Sequence, residues 1–387
     1  MSLDNRPLRI AILGAGMIGA VHRRAALLAG AHVVGVMASN PQRSGDAARE
    51  WATDPIRNAD ELAELAPDVV HVCTPNGLHV EHVKAAIASG AHVICEKPIA
   101  VSTQEADALV ELASRTGRVA TVPFVYRFHP LVREIRARIQ EGGFGRLQLV
   151  HGSYLQDWLL SPLATSWRVD SRVGGPSRTF ADIGSHWCDL MEFVTGERIA
   201  SLSAATTITV PERPAMSVAS FSGEAASGPL AKVDTEDAAS VIFRTASGVL
   251  GTVLVSQVSA GRKNRLWIEI DGESQSAVFD QEQPESVWFG REGSAEIVQR
   301  DPGRGAAEQR RLSSLPAGHA QGYAQCFENF VADSYAAVRG GTPDGLPTFE
   351  DGARSARIVD AVLESALTGD WVDIGAAVSA ESVRQGR

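Results

Sequence analysis

The sequence predicts a doubly wound parallel α/β sheet over residues 1–126 and an α+β domain with a mostly antiparallel sheet over residues 127–387. Three observations carry this reading. Short apolar runs alternate with amphipathic helical stretches as far as residue 125. A glycine turn, GAGMIG, follows the first of those runs directly. Beyond residue 142 the pattern changes to longer strands of alternating polarity joined by hairpin turns.

Predicted strands in the first part are Leu8–Leu13, His32–Met37, Val69–Thr74, His92–Cys95 and Val119–Phe124, with helices such as Gly16–Ala29 and His79–Ser89 between them. Strands apolar on both faces and alternating with helices indicate a parallel sheet covered on both sides. Pro130–Glu141 then reads as one helix closed by Gly142 and Gly143. After it, Asp237–Arg244 and Val249–Val258 flank a Ser-Gly turn, and Leu266–Ile270 and Ser276–Phe279 flank Asp271-Gly272. Alternating polarity gives this sheet one face for helices and one half-polar face for water or a second subunit. Residues 211–236, rich in Pro, Ser, Ala and Gly, read as a loop, and Gly322–Gly340 and Asp351–Gly369 as late helices.

A chain of 387 residues suits two domains. A formal net charge of −10 without any basic block argues against nucleic acid or an anionic membrane as main partner, although a local basic pocket for acidic substrates stays open. Cys73, Cys95, Cys188 and Cys326 lack CxxC spacing, so free buried thiols are expected, not a zinc site or a disulfide framework. No apolar stretch approaches the roughly 20 residues of a membrane span, and Met1–Pro7 lacks a signal-peptide pattern. A cytoplasmic location is therefore expected.

Gly14-Ala15-Gly16-Met17-Ile18-Gly19 fits GxGxxG in the context that gives the motif its meaning, after a strand and opening a helix. The first glycine permits the turn, the second lets backbone approach a pyrophosphate, and the third lets helix and strand pack. Gly14, Gly16, Met17, Ile18 and Gly19 are thus cofactor candidates at a helix N-terminus suited to phosphate. The next strand ends at Met37-Ala38-Ser39-Asn40, where NAD-binding units usually place an acid for the ribose hydroxyls. Ala38 and Ser39 are neutral and Arg43 lies within reach of a 2′-phosphate, which tilts the expected cofactor from NAD toward NADP. The alternative is a solvated Arg43 and NAD bound without the acid. Thr74, Pro75, Asn76 and His79 form a further turn at a strand's carboxyl end, either touching the nicotinamide half or serving as a plain loop.

Glu96-Lys97-Pro98 follows the strand ending at Cys95. The chain has only four lysines, Lys84, Lys97, Lys232 and Lys263, so a lysine at a strand's carboxyl end points to a compact, tunable ammonium. A Glu96–Lys97 surface ion pair is the competing reading. Further on, a helix over Ala181–Val194 would put Asp182 and His186 on one face at i and i+4, with Asp189 close to it. Histidine is the usual general base near neutral pH. A structural histidine beside an N-cap aspartate is the plainer alternative, and no matching ligand spacing supports a metal. Tyr126 and Arg127 at the domain junction face a cleft or form a packed hinge. Trp158, Trp167, Arg168 and His319 are candidates for a sugar pocket.

GAGMIG, TPNGLH, EKP, YRFHP and GGPSRTFADIGSHWCD, in this order, with GRKN (Gly261–Asn264) and PAGHAQGY (Pro316–Tyr323) later, make the chain resemble the Gfo/Idh/MocA family of oxidoreductases, nearest its sugar- and inositol-dehydrogenase-like members. The resemblance implies a Rossmann domain plus a large open, mostly antiparallel sheet domain, often dimeric or tetrameric through that sheet. It implies a catalytic lysine, matched by Lys97, and an aspartate and histidine, matched by Asp182 and His186. Ala38 stands where many members carry an acid, and Val125 where an asparagine is frequent. The expected reaction is reversible oxidation of a secondary hydroxyl of a sugar, polyol or cyclitol. His186 would take the hydroxyl proton, Lys97 would hold the same oxygen, and Asp182 would fix a neighbouring hydroxyl or orient His186. The rivals are a keto-sugar or dihydrodiol-type carbonyl reductase and a dinucleotide-binding regulator without turnover.

Overall fold

The computed structural model describes residues 6–215 and 228–375. Its first part runs β1 (Arg9–Leu13), α1 (Met17–Leu28), β2 (His32–Met37), α2 (Pro41–Trp51), β3 (Asp54–Ile56), α3 (Leu62–Leu65), β4 (Val69–Val72), α4 (His79–Ala88), β5 (His92–Cys95), α5 (Thr103–Thr116) and β6 (Ala120–Thr121). The six strands lie in the order β3-β2-β1-β4-β5-β6, and every pairing is parallel. Val69 to Val72 are buried without interruption because helices cover both faces. Strand order reverses between β1 and β4, which opens a crevice at their carboxyl ends. The glycine turn after β1, the Thr74–His79 turn after β4 and Glu96–Pro98 after β5 all stand at that edge.

α6 (Pro130–Gln140) begins the second part. Proline occupies its first turn, where no N–H is needed, and His129 caps it by accepting from Leu131 N–H at 3.2 Å. There follow β7 (Leu147–Leu155), α7 (Ser171–Gly174), α8 (Ser185–Thr195), β8 (Ile199–Thr207), β9 (Glu212–Pro214), β10 (Leu230–Lys232), β11 (Ala238–Thr245), β12 (Leu250–Ser256), β13 (Arg265–Gly272), β14 (Ser276–Asp280), β15 (Ser286–Arg291), β16 (Ser294–Gln299), α9 (Ala307–Leu312), α10 (Tyr323–Val338), α11 (Phe349–Thr368) and β17 (Val372–Asp373). Nine of these strands form one sheet in the order β16-β15-β14-β13-β7-β12-β11-β8-β17, antiparallel except for the β7–β12 pair. One face packs Phe243, Val253, Ile268 and Phe279 against Trp187 and Leu190 of α8, Leu131 of α6 and Val362 of α11. The other face is open: β11 and β12 alternate buried and exposed residues along their length.

The late helices return to the first sheet. Phe327, Phe330 and Val331 of α10 share a core with Ile10, Ile12 and Ala25, while Phe349 and Ala353 of α11 share one with Val93 and Leu109. The two halves therefore clasp each other.

Two expectations need correction. The strand read over Val119–Phe124 contracts to Ala120–Thr121, and Val125–Phe128 forms a 3₁₀ turn. Pro123 lacks the N–H that would continue a ladder. The loop read over residues 211–236 contains a small hairpin, in which Glu212–Pro214 pair antiparallel with Leu230–Lys232. Residues 216–227 of that segment lie outside the described residues.

Candidate active site

Lys97 sits one residue past Glu96 at the end of β5, and Asp182 sits in a π-helical turn over Phe180–Gly184 that leads into α8. The expected helix over Ala181–Val194 thus begins with one widened turn, a departure frequent at functional sites. The Lys97 ammonium donates to Asp182 Oδ1 at 2.6 Å and to the Asp182 carbonyl at 2.7 Å. Asp182 Oδ2 accepts from the Gln257 amide at 2.8 Å, and Arg168 Nε stands 3.5 Å from Oδ1. Burial acts to raise the Asp182 pKa, but Lys97 and Arg168 outweigh it and hold the carboxyl well below the usual carboxylate range. Asp182 is therefore anchored to the lysine and not to the imidazole. An ammonium carries three donors, and two are used here, so one N–H remains for another oxygen.

His186 lies one turn on. Its Nδ1 is buried and has no hydrogen-bond partner among the described residues. Its ring meets Phe124 and Tyr126 edge-on at centroid distances of 5.7 and 5.5 Å. Burial, then the charge of Lys97, push its pKa down to about 3, so the imidazole is neutral at neutral pH. Tyr126 is buried beside it, its hydroxyl 2.7 Å from that of Tyr154 and 3.2 Å from the Asn264 amide nitrogen.

At the glycine turn the residues fit a dinucleotide. Gly14 has φ +112°, and a Cβ there would sit 2.4 Å from the Cys73 carbonyl oxygen. A Cβ on Gly19 would meet the Gly14 carbonyl oxygen at 1.9 Å, whereas one on Gly16 would project into open space. Tight packing at two glycines and an open approach at the second is the arrangement a pyrophosphate requires. No side chain caps α1 at Gly16, which leaves its first N–H groups free for an anion. Met17 is exposed and Ile18 half-buried at the same turn. At the end of β2, Arg43 donates to the Ser39 hydroxyl at 3.3 Å and both are exposed.

Asn76 and Pro98 line a narrow crevice with Lys97, Arg168 and Asp182. Asn76 also donates to the Gly174 carbonyl at 2.9 Å and so ties the turn after β4 to the second half. Thr74 bonds His82 through its hydroxyl at 2.9 Å, and Pro75 precedes the 3₁₀ turn over Asn76–Leu78. Trp167 lies under the Arg168 guanidinium at 4.4 Å, and Trp158 donates to Gln156 at 2.9 Å.

Four predicted contacts are placed differently. His79 is fully buried, with its two ring nitrogens each 2.7 Å from a carbonyl oxygen, of Pro98 and of Thr74. It braces two loops instead of facing the crevice. Glu96 turns its carboxylate inward to His22 Nε2 at 3.1 Å. The Arg127 guanidinium is buried in ion pairs with Asp189, at 2.8 Å through Nε, and with Asp351 at 2.8 Å. With its charge committed to two carboxylates, Arg127 is a clamp between α8 and α11 and not a substrate contact. His319 is exposed in the loop before α10, where its carbonyl accepts from Arg300 at 2.6 Å. No hydrogen bond or ring contact among the described residues joins it to Lys97, Asp182 or His186. Conversely, Tyr154, Gln257 and Tyr323 were not anticipated. Tyr323, at the start of α10, lies 6.2 Å from Tyr126 between ring centroids. Single polar residues on β7, after β12 and at the start of α10 share no spacing signal, so only their convergence reveals them.

Comparison with known proteins gives a consistent result. Residues 8–124 match the model of an oxidoreductase family with an NAD-binding Rossmann fold, and residues 132–278 match the Gfo/Idh/MocA C-terminal domain. Levoglucosan dehydrogenase of Pseudarthrobacter phenanthrenivorans is 32% identical over 348 residues, covering 87% of this chain and 88% of that protein. A levoglucosan dehydrogenase solved with NADH and L-sorbose superposes with a TM-score of 0.86 at 29% identity, over 95% of this chain and 99% of that one. An inositol dehydrogenase homologue from Azotobacter vinelandii, solved with NADH and myo-inositol, gives 0.83 at 27% identity over 96% and 99% of the two chains.

Proposed function

The chain belongs to the Gfo/Idh/MocA family of NAD-binding oxidoreductases, and from that premise we propose that it oxidises a secondary hydroxyl of a sugar, polyol or cyclitol. One observation carries this reading. An ammonium from β5 and an aspartate from the turn before α8 meet at 2.6 Å, and a buried imidazole with an unpartnered nitrogen stands one turn further on.

When bound, the nicotinamide supplies the hydride acceptor. The chain's own residues do the rest. The Lys97 N–H not engaged by Asp182 donates to the reacting hydroxyl oxygen and stabilises its developing negative charge. Neutral His186 takes the hydroxyl proton as the C–H bond breaks, leaving a carbonyl product and an imidazolium. Asp182 holds Lys97 in place through this ion pair, a role that replaces the expected orientation of His186. Tyr126, Trp158, Trp167 and Arg168 line the substrate side. The experiment is turnover of Lys97→Met and His186→Ala on a polyol panel at saturating coenzyme, where near-normal rates in both variants would reject these roles.

Finer points belong to the same reading. The division into a Rossmann domain over residues 1–126 and a substrate domain over 127–387 follows the change of sheet type. Coenzyme choice includes NADP, slightly preferred, on the strength of Ala38 and the exposed Ser39–Arg43 pair. Assembly as a homodimer or homotetramer through the open sheet face is supported by exposed Ile242, Leu250 and Leu254 there and is tested by light scattering. Four free buried cysteines suit a reducing cytoplasm. No helix among the described residues is long and apolar enough to cross a membrane.

A further inference from the structure

A chain of buried polar side chains runs behind the reacting centre, and the chemistry above does not use it. Glu96 Oε1 lies 3.1 Å from His22 Nε2 of α1. His22 Nδ1 lies 2.8 Å from His71 Nδ1 of β4, and His71 Nε2 lies 2.8 Å from the Tyr335 hydroxyl of α10. His22 and His71 are wholly buried, Tyr335 is 2% exposed and Glu96 8% exposed. The second carboxylate oxygen of Glu96 accepts from the Lys97 backbone N–H at 3.2 Å.

Direction follows from valence. A carboxylate only accepts, so His22 Nε2 carries a hydrogen and donates. The Tyr335 O–H has no other acceptor among the described residues and donates to His71 Nε2. Burial keeps His71 neutral, so its one hydrogen lies on Nδ1 and is donated to His22 Nδ1. Every donor in the chain points toward Glu96.

We propose that Tyr335, His71 and His22 are positioning residues whose one-way hydrogen-bond chain holds the Glu96 carboxylate in place as an anion beside Lys97. The proposal rests on the catalytic reading of Lys97 and His186. Four polar groups bonded in series in an apolar interior stabilise a fold no better than well-packed apolar residues would, so the placement of their last member, Glu96, against the Lys97 backbone points to the site. Burial alone would raise the Glu96 pKa, but the His22 hydrogen bond and the neighbouring Lys97 ammonium bring it below the usual value. The other titratable groups facing Glu96 are Cys73, Cys95, His79 and Tyr323; burial pushes both thiols and the phenol well up, so they stay neutral. Glu96 in turn raises the basicity of His186 against the opposing effect of Lys97.

The experiment compares His22→Leu, His22→Gln and Tyr335→Phe. In His22→Leu the acid limb of kcat/KM moves up by about one pH unit or more, because Glu96 then takes up a proton nearer neutrality. His22→Gln keeps an N–H donor and recovers most of the wild-type profile. Tyr335→Phe shifts the limb in the same direction by less. Proton NMR of the coenzyme-free protein shows a low-field imidazole N–H from His22 that is lost in His22→Leu and moves in Tyr335→Phe. Profiles that superpose on wild type, in folded His22→Leu or in Tyr335→Phe, overturn the proposal, as does a wild-type spectrum without that resonance. Should His22→Leu not fold, Tyr335→Phe decides alone. A wild-type protein that turns over no polyol defeats the catalytic reading instead, and the NMR arm still tests the chain.

Discussion

Lys97 and Asp182 are 85 residues apart and belong to different sheets' connections, yet the ammonium contacts both the carboxylate and the carbonyl of that one aspartate. Two of three donors are thereby fixed in direction, and the third is aimed. Lys97→Met removes the charge that stabilises the developing oxyanion and should lower kcat by about 10²–10³-fold. Lys97→Arg should not rescue it, because a planar guanidinium cannot reproduce the point geometry. Steady-state kinetics at saturating coenzyme reads both.

The glycine turn separates fold from binding. Gly14→Ala forces a side chain onto φ +112° and against the Cys73 carbonyl, so it should destabilise the first sheet and lower the melting temperature. Gly16→Ala meets no atom within 4 Å and should leave the melting temperature unchanged while raising the coenzyme KM. Thermal melts and coenzyme titrations of the two variants separate the effects.

Coenzyme choice turns on the end of β2. With Ala38 in the place of an acid, Arg43→Ala should weaken NADP much more than NAD, and Ala38→Asp should favour NAD by repelling a 2′-phosphate. The ratio of kcat/KM for NADP to that for NAD is the measurement. A ratio unmoved by Arg43→Ala would remove the case for NADP.

Much of this architecture is legible in the residues, for identifiable reasons. His32–Met37 and His92–Cys95 are found with both ends as read, because each is an apolar run following a Gly-Ala turn. Asp182 and His186 are read from their i and i+4 spacing, and the structure puts a widened turn over Phe180–Gly184 at the start of that interval. His79 and Arg127 are misplaced by the same reading. His79 follows the Asn76 turn and Arg127 follows Tyr126, and which way each side chain turns depends on partners far away: Pro98 in one case, Asp189 and Asp351 in the other. Gln257 reaches Asp182 from 75 residues further along, and no local pattern encodes that.

Arg127 provides a stability prediction. Its guanidinium bonds Asp189 and Asp351 and lies 5.0 Å from the Phe193 ring centroid. Asp189→Ala leaves a buried cation with one partner fewer and should cost about 3–5 kcal/mol. Urea unfolding measures it. A loss of activity without loss of stability would instead return Arg127 to the substrate side.

Acid should unfold the protein earlier than its carboxylates alone would require. His129 and His186 are both held near a pKa of about 3, chiefly by burial, and His71 is driven well below its usual value. In the unfolded chain each titrates near 6.5. Between those values the unfolded state binds protons that the folded state does not, so stability falls as pH drops from about 6.5 toward about 3. Each such histidine contributes a slope of up to about 1.4 kcal/mol per pH unit. His129→Asn keeps a side-chain acceptor for the Leu131 N–H and removes one titrating ring. Urea unfolding between pH 7 and pH 4 should therefore show a shallower acid loss in His129→Asn than in wild type. Equal slopes would mean that His129 takes up its proton in the folded state.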